Sequence, residues 1–231
     1  SLFSSIHKGF APPGVKEGQK AEESINFEIG TRYHRTNFSS EIVFFNNSYS
    51  NMLGADSNAA GGTGEGDLFN AGKANVSGAE LLLGFDLINE SEMKIPITIN
   101  YTYTKTELKS DFNSSVEAWG DVKIGDEIPY IPKHVLAASL GFEYKKLKTY
   151  LNTRYNGAFR TQAGQGFIPT ENKINSFLVF DMAANYEISR NLVVKTQILN
   201  LLNNKYAVAR VPSGLRPGMP FAIHAGVLFN F

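Results

Sequence analysis

Phe221-Ala222-Ile223-His224-Ala225-Gly226-Val227-Leu228-Phe229-Asn230-Phe231 is the stretch that decides the fold. Phe221, Ile223, Ala225, Val227, Phe229 and Phe231 are all apolar, while the residues between them are mostly small or polar. Successive side chains of a strand point to opposite faces, so this period of two predicts a β-strand with one wholly apolar face. The same period recurs upstream. Leu178, Phe180, Met182, Ala184, Tyr186 and Ile188 alternate with Val179, Asp181, Ala183, Asn185 and Glu187. Ile95 to Tyr103 and Ile25 to Tyr33 repeat it, and less regular segments fall at 1–9, 38–52, 73–88, 132–145, 147–157 and 191–202. The reading is all-β, with about ten strands and no convincing helix.

The connections between these segments are of two kinds, in alternation. Short turns are expected at 34–38, 89–93, 145–148 and 189–191; long Gly/Pro/Asn-rich stretches occupy 9–24, 53–72, 108–131, 158–176 and 203–220. Tight turns at one end and long loops at the other describe an antiparallel up-and-down barrel of the bacterial outer membrane. Apolar side chains then face lipid, and Glu28, Arg32, Glu80, Asp86, Arg154, Asp181, Lys195 and His224 face the interior. Tyr33, Phe177, Tyr186, Phe221, Phe229 and Phe231 are expected in interfacial girdles near strand ends. The alternative is a soluble β-sandwich or lipocalin-like barrel; a sandwich would rarely sort its loops by end, and a soluble barrel would not end in an exposed aromatic-rich strand with such long loops. With Phe231 at the periplasmic side, all five long loops face outward.

Composition narrows the function. Lys+Arg and Asp+Glu both number 22, so the net charge is zero and no nucleic-acid footprint is present. Without cysteine there is no disulfide framework and no thiolate chemistry. No run approaches the ~18 apolar residues of a spanning helix. Ser1–His7 carries no signal-peptide pattern and begins directly in alternation, which is expected of a strand or of a piece of a longer protein.

Several stretches resemble the C-terminal barrel half of TonB-dependent outer-membrane receptors. Lys8-Gly9-Phe10-Ala11-Pro12-Pro13 is similar to that family's Gly-Phe-x-x-Pro element, and Glu22-x-Ser24-x-Asn26-x-Glu28-x-Gly30 to its next strand. Tyr49-Ser50-Asn51-Met52, Asn70-Ala71-Gly72 with Gly78-Ala79-Glu80, Ile131-Pro132-Lys133-His134 and Asn200-Leu201-Leu202-Asn203-Asn204-Lys205-Tyr206 match later elements in the family's order. Leu202 stands where Phe is commoner, and Phe221 replaces the Arg that usually follows the final Pro. Phe159–Gly166 and Ala209–Gly218 look like the ferric-citrate receptor branch. The resemblance implies a 22-stranded barrel with an N-terminal plug inside it. Residues 1–231 would be its C-terminal segment, with the plug outside this chain and the rest of the same barrel closing the sheet. It further implies residence in the outer membrane among its lipids, capture of a ferric chelate (ferric citrate or another siderophore) by external loops, and import energised by the TonB complex acting through the plug. No covalently bound cofactor is implied.

Candidate chemistry is thin elsewhere. His7, His34, His134 and His224 are scattered without metal spacing, and no nucleophile elbow appears, so the chain reads as no enzyme. A ten-stranded outer-membrane protease and a passive pore are alternatives. A haem receptor is another, although Gly9-Phe10-Ala11-Pro12 lacks the Arg of the haem-receptor box. Gly61-Gly62-Thr63-Gly64-Glu65-Gly66 lacks the Lys-Ser/Thr of a phosphate loop and reads as a flexible connection. The positive candidates are Arg160, Gln162, Gln165, Arg210 and Arg216 in the last two external loops. Arginine's planar fork matches carboxylates, and a ferric-citrate complex is an anion rich in carboxylate oxygens. The competing role for Arg160 and Arg210 is to brace the loops.

Overall fold

The computed structural model describes residues 1–13, 20–55, 68–210 and 214–229; Gly61–Gly66, Val211–Ser213 and the terminal Phe231 lie outside the described residues. In chain order the strands are β1 (Leu2–Ala11), β2 (Glu22–Arg35), β3 (Phe38–Ser50), β4 (Leu53–Ala55), β5 (Leu68–Asn70), β6 (Ala74–Asn89), β7 (Met93–Leu108), β8 (Phe112–Asn113), β9 (Asp121–Val122), β10 (His134–Tyr144), β11 (Leu147–Asn156), β12 (Phe159–Arg160), β13 (Lys173–Ile174), β14 (Phe177–Ser189), β15 (Leu192–Leu199), β16 (Ala207–Ala209), β17 (Arg216–Pro217) and β18 (Ala222–Phe229), with a 3-10 turn at Thr170–Asn172. Ten of them form one antiparallel sheet in the order β1-β2-β3-β6-β7-β10-β11-β14-β15-β18. The other eight pair off as β4 with β5, β8 with β9, β12 with β13 and β16 with β17, each pair inside one long connection. No helix among the described residues is long and apolar enough to cross a membrane. The crossing elements are the strands.

The four tight turns lie where alternation places them, joining Arg35 to Phe38, Asn89 to Met93, Tyr144 to Leu147 and Ser189 to Leu192. Register slips occur between Asp86 and Asn89 and between Glu187 and Ser189, both at this tight-turn end. Bulges of this kind bend and twist a strand as it ends.

Register assigns the faces. Arg32 lies opposite Glu41, Glu41 opposite Leu82, Leu82 opposite Asn100, Asn100 opposite Ala137, Ala137 opposite Arg154, and Arg154 opposite Val179. Residues directly opposite in an antiparallel pair share a face, so this row and its alternates define one side of the sheet. Glu28, Arg32, Glu80, Asp86, Arg154, Asp181, Lys195 and His224 all belong to it. Arg32 and Glu41 are ion-paired there, and Tyr150 donates to Glu143. Close approach governs three glycines on this face. A Cβ on Gly30, Gly78 or Gly141 would strike Phe3, Phe45 or Tyr150 respectively, so each glycine is roofed by the aromatic ring opposite it on the next strand. Such aromatic–glycine pairs pin register in curved sheets.

The other face carries Ile25, Phe27, Ile29, Phe44, Leu140, Leu151, Met182, Ile223 and Val227, all exposed. A continuous apolar surface of this extent would drive aggregation in water and is required in lipid. At about 3.4 Å per residue and the ~40° tilt of outer-membrane strands, the eleven residues of β10 rise through roughly 28 Å, close to the thickness of a hydrocarbon core. Aromatics bound the belt. At the tight-turn end Phe38 packs its ring 5.9 Å from Tyr33 and 5.0 Å from Phe85, in line with Tyr144, Tyr186 and Phe229. At the loop end Tyr101 Oη and His134 Nδ1 are hydrogen-bonded at 2.8 Å, beside Tyr103. Phe177 departs from the girdle expected of it. It lies opposite Asn156, on the inward face, and its ring packs 4.6 Å from Tyr206. The alternation itself accounts for this, since outward Leu178 fixes its neighbour to the other side.

The sheet has almost no core of its own. The buried hydrophobic residues are chiefly Ala71, Ala74, Leu108, Trp119, Val122, Phe159 and Ile174, all in or beside the long connections, with Val179 on the inward face of β14. A wall facing lipid on one side and a polar interior on the other buries little within itself, so among the described residues close packing is concentrated at the loop end.

Candidate ligand site at the outer rim

The rim is built from two connections that complete each other. Ala74, Leu108, Trp119 and Val122 form one cluster, with Phe112, Val116, Ile128 and Ala163 packed against it. Ala163 belongs to the 157–176 connection and the others of that group to 74–128. Main-chain bonds stitch the two together: Ala163 N–H donates to Ala118 O at 2.9 Å, Glu127 N–H to Gly164 O at 2.8 Å and Tyr130 N–H to Arg160 O at 2.8 Å.

An ionic cluster closes the seam. Arg160, only 5% exposed, donates from Nε to Glu127 Oε2 at 3.0 Å and from an Nη to Gly166 O at 3.3 Å, while Lys133 Nζ reaches Glu127 Oε1 at 2.6 Å. Burial pushes the Glu127 carboxyl up, but its hydrogen bonds with Lys133 and Arg160 outweigh that and hold it below the usual carboxylate range.

The five residues singled out from the sequence separate here. Arg160 is consumed by the Glu127 brace. Gln162 Oε1 accepts a hydrogen bond from Asn172 Nδ2 at 2.7 Å, and Gln165 is exposed beside Gly125. These three lie in the stitched seam. Arg210 stands apart, donating from Nη2 to Thr170 O at 3.0 Å and bonding Lys173 O at 3.4 Å. Arg216 is exposed on β17 opposite Ala209.

Arg210 also lines a cavity of about 580 Å³ between the 173–178 stretch and the 204–217 connection. Its wall includes Lys173, Lys205, Phe177, Tyr206 and Leu215. Two of these, Lys173 and Lys205, are not among the ligand candidates read from the sequence, where Lys205 figures only within the Asn200–Tyr206 element. The cavity keeps its shape through Asn200, which is 1% exposed. Its N–H donates to Asp181 Oδ1 at 2.7 Å, its Nδ2 to Asn204 O and Met219 O at 2.9 Å each, and its Oδ1 accepts from Asn204 N–H at 2.9 Å. The Asn200 side chain thereby ties the two ends of the last long connection to each other, and its main-chain N–H fastens them to β14. The Asn200-Leu201-Leu202-Asn203-Asn204 run is the signal that could have pointed to it. Among the described residues no group of three or more His, Cys, Asp or Glu side chains is placed to hold a metal.

A lipid-belted β-wall with a polar inner face and its packing concentrated in an outer rim defines an outer-membrane barrel protein. Comparison with known proteins names the family. The chain belongs to the TonB dependent receptor-like β-barrel family, whose model matches residues 1–201. It is similar to the pesticin receptor of Yersinia enterocolitica, 22% identical over 94% of this chain and 33% of that protein. It is also similar to the ferrienterobactin receptor of Escherichia coli K12, 26% identical over 80% of this chain and 24% of the receptor. Among solved structures, the ferric yersiniabactin uptake receptor FyuA of Yersinia pestis superposes over 100% of this chain and 35% of its own, with a TM-score of 0.74 at 17% identity. The chain thus spans about a third or less of the length of these proteins, and its ten strands are part of the wall of a larger barrel in the bacterial outer membrane.

Proposed function

We propose that this chain is the C-terminal wall and outer rim of an importer that captures a ferric chelate outside the cell and admits it through the barrel, with energy from the TonB complex acting on a plug encoded elsewhere in the same protein. The observation that carries the proposal is the combination of family membership with a polar inward wall capped at its loop end by a packed rim. A rim held in shape beforehand loses little conformational freedom on binding, which favours tight capture of a scarce ligand. The ligand is a ferric siderophore or ferric citrate. Support for a siderophore comes from the relatives named for ferrienterobactin and ferric yersiniabactin; support for citrate comes from the Phe159–Gly166 and Ala209–Gly218 stretches. Arg210, Arg216, Gln162 and Gln165 remain proposed ligand contacts. Arg160 is proposed to act with them by holding the seam from which the two glutamines project.

The test is iron-limited growth of a deletion strain, complemented with the full-length gene, on ferric citrate, on catecholate and phenolate siderophores, and on haem. Growth on one ferric chelate that ceases when the inner-membrane proton gradient is collapsed is expected. Uptake indifferent to that gradient would favour a passive pore, and growth on haem alone would favour the haem reading. An Arg160→Ala/Arg210→Ala receptor that bound its chelate with undiminished affinity would remove both arginines from the site.

A further inference from the structure

Among the described residues the three cations of the rim cavity have no carboxylate to balance them. Lys173, Lys205 and Arg210 all line it, and no Asp or Glu does. Arg210 is held by the neutral carbonyl oxygens of Thr170 and Lys173, which fix the guanidinium without cancelling its charge. The side chains of Lys173 and Lys205 make no ion pair or hydrogen bond with any described residue. The contrast within the same rim is instructive: Lys133 and Arg160 share Glu127, and Lys123 is paired with Asp121. In a chain of zero net charge, a concentration of three uncompensated cations around one concavity focuses field and attracts anions.

The back of the cavity is rigid and aromatic. Tyr206 lies against Phe177 on one side, and a Cβ on Gly218 would come within 2.1 Å of its ring on the other. Gly218 N–H also donates to Tyr206 O at 2.8 Å. The glycine is there because nothing larger leaves room for the ring.

We propose that this cavity is an oxyanion subsite. Lys173 and Lys205, with Arg210, bind the negatively charged oxygens of the chelate, whether carboxylate or catecholate, against the wall made by Phe177 and Tyr206. The inference rests on the import reading and deepens it: it places charge recognition in the last two connections and assigns it to two lysines rather than to Arg160. Lysine ammonium groups act as mobile point charges, so the subsite selects for anionic charge more than for a particular planar geometry.

The experiment uses the purified full-length receptor in detergent. Equilibrium binding of ferric citrate and of ferric tris(2,3-dihydroxybenzoate) is followed by quenching of intrinsic fluorescence, for the wild type and for Lys173→Gln/Lys205→Gln. Folding of the variant is monitored by its resistance to unfolding in sodium dodecyl sulfate before heating. The wild type is expected to bind at least one of the two anions, and the double variant to bind the same anion roughly tenfold more weakly. Wild-type affinity is also expected to fall more steeply with added salt than the variant's, because two charges have been removed. The anion that loses affinity identifies the oxygen chemistry recognised. A folded variant with wild-type affinity and salt dependence would overturn the subsite and leave the import reading standing. A wild-type receptor that binds neither anion would overturn the subsite, while growth on some other chelate would preserve the broader reading.

Discussion

Arg160 shows how both candidate roles of a residue, ligand contact and loop brace, can be read from the sequence while its partner stays hidden. A guanidinium in a long connection suggests an anion contact, yet its partner is a carboxylate 33 positions earlier in the chain. Nothing in the spacing announces that pairing, because it exists only once two loops have packed. Removing one partner of a largely buried ion pair leaves the other charge exposed to a poor environment, at a cost of about 1–3 kcal/mol here, since Glu127 keeps Lys133 and some solvent contact. Arg160→Ala should therefore loosen the seam. Trp119, packed in the adjoining cluster, reports it: its emission, isolated by difference against Trp119→Phe, should shift to the red. Acid should act on the same brace. A carboxyl held below its ordinary value stabilises the fold at any pH above that value and loses the contribution as pH falls through the lowered one. The Trp119 emission is thus expected to stay constant from pH 7 down to about 5 and to move only below the usual carboxylate range of about 4.3. A transition centred near pH 6 would mean that Glu127 is not the controlling group.

Among the elements, strands and hairpins differ in how far the sequence reveals them. The wall strands run for 8 to 16 residues, long enough for a period of two to be counted. The rim hairpins pair only two or three residues each, as in Phe159–Arg160 with Lys173–Ile174. Such a stretch carries no period and is held by its neighbours rather than by its own pattern. The cavity beside it was equally hidden, since Lys173 and Lys205 lie far apart in sequence and meet only through the fold. Facing, by contrast, is legible and can be tested at adjacent positions of β10. Leu140 is exposed on the outward face and Ser139 lies opposite Thr98 and Asn152 on the inward one. Leu140→Arg should cost about 2–4 kcal/mol in bilayer unfolding titrations, and Ser139→Arg under about 1 kcal/mol. Equal costs would contradict the assigned faces.

At the scale of the molecule, the ten-stranded sheet does not close on itself. Among the described residues β1 pairs only with β2, and β18 only with β15. In hydrocarbon each unpaired backbone group costs several kcal/mol, so two bare edges outweigh anything the rim can contribute. Residues 1–231 expressed alone and added to preformed vesicles should fail to acquire resistance to unfolding in sodium dodecyl sulfate, whereas the full-length receptor should acquire it. Stable insertion of the isolated chain as a monomer would mean that β1 and β18 can meet and that a small closed barrel exists. The rim carries a separate consequence for anything meant to recognise this protein from outside the cell. Because the 109–133 and 157–176 connections take their shape from each other, through Ala118 with Ala163 and Glu127 with Arg160, neither keeps that shape as a free peptide. An antibody raised against one loop in isolation would meet a surface that living cells do not display, so a useful immunogen must present both loops joined as they are here.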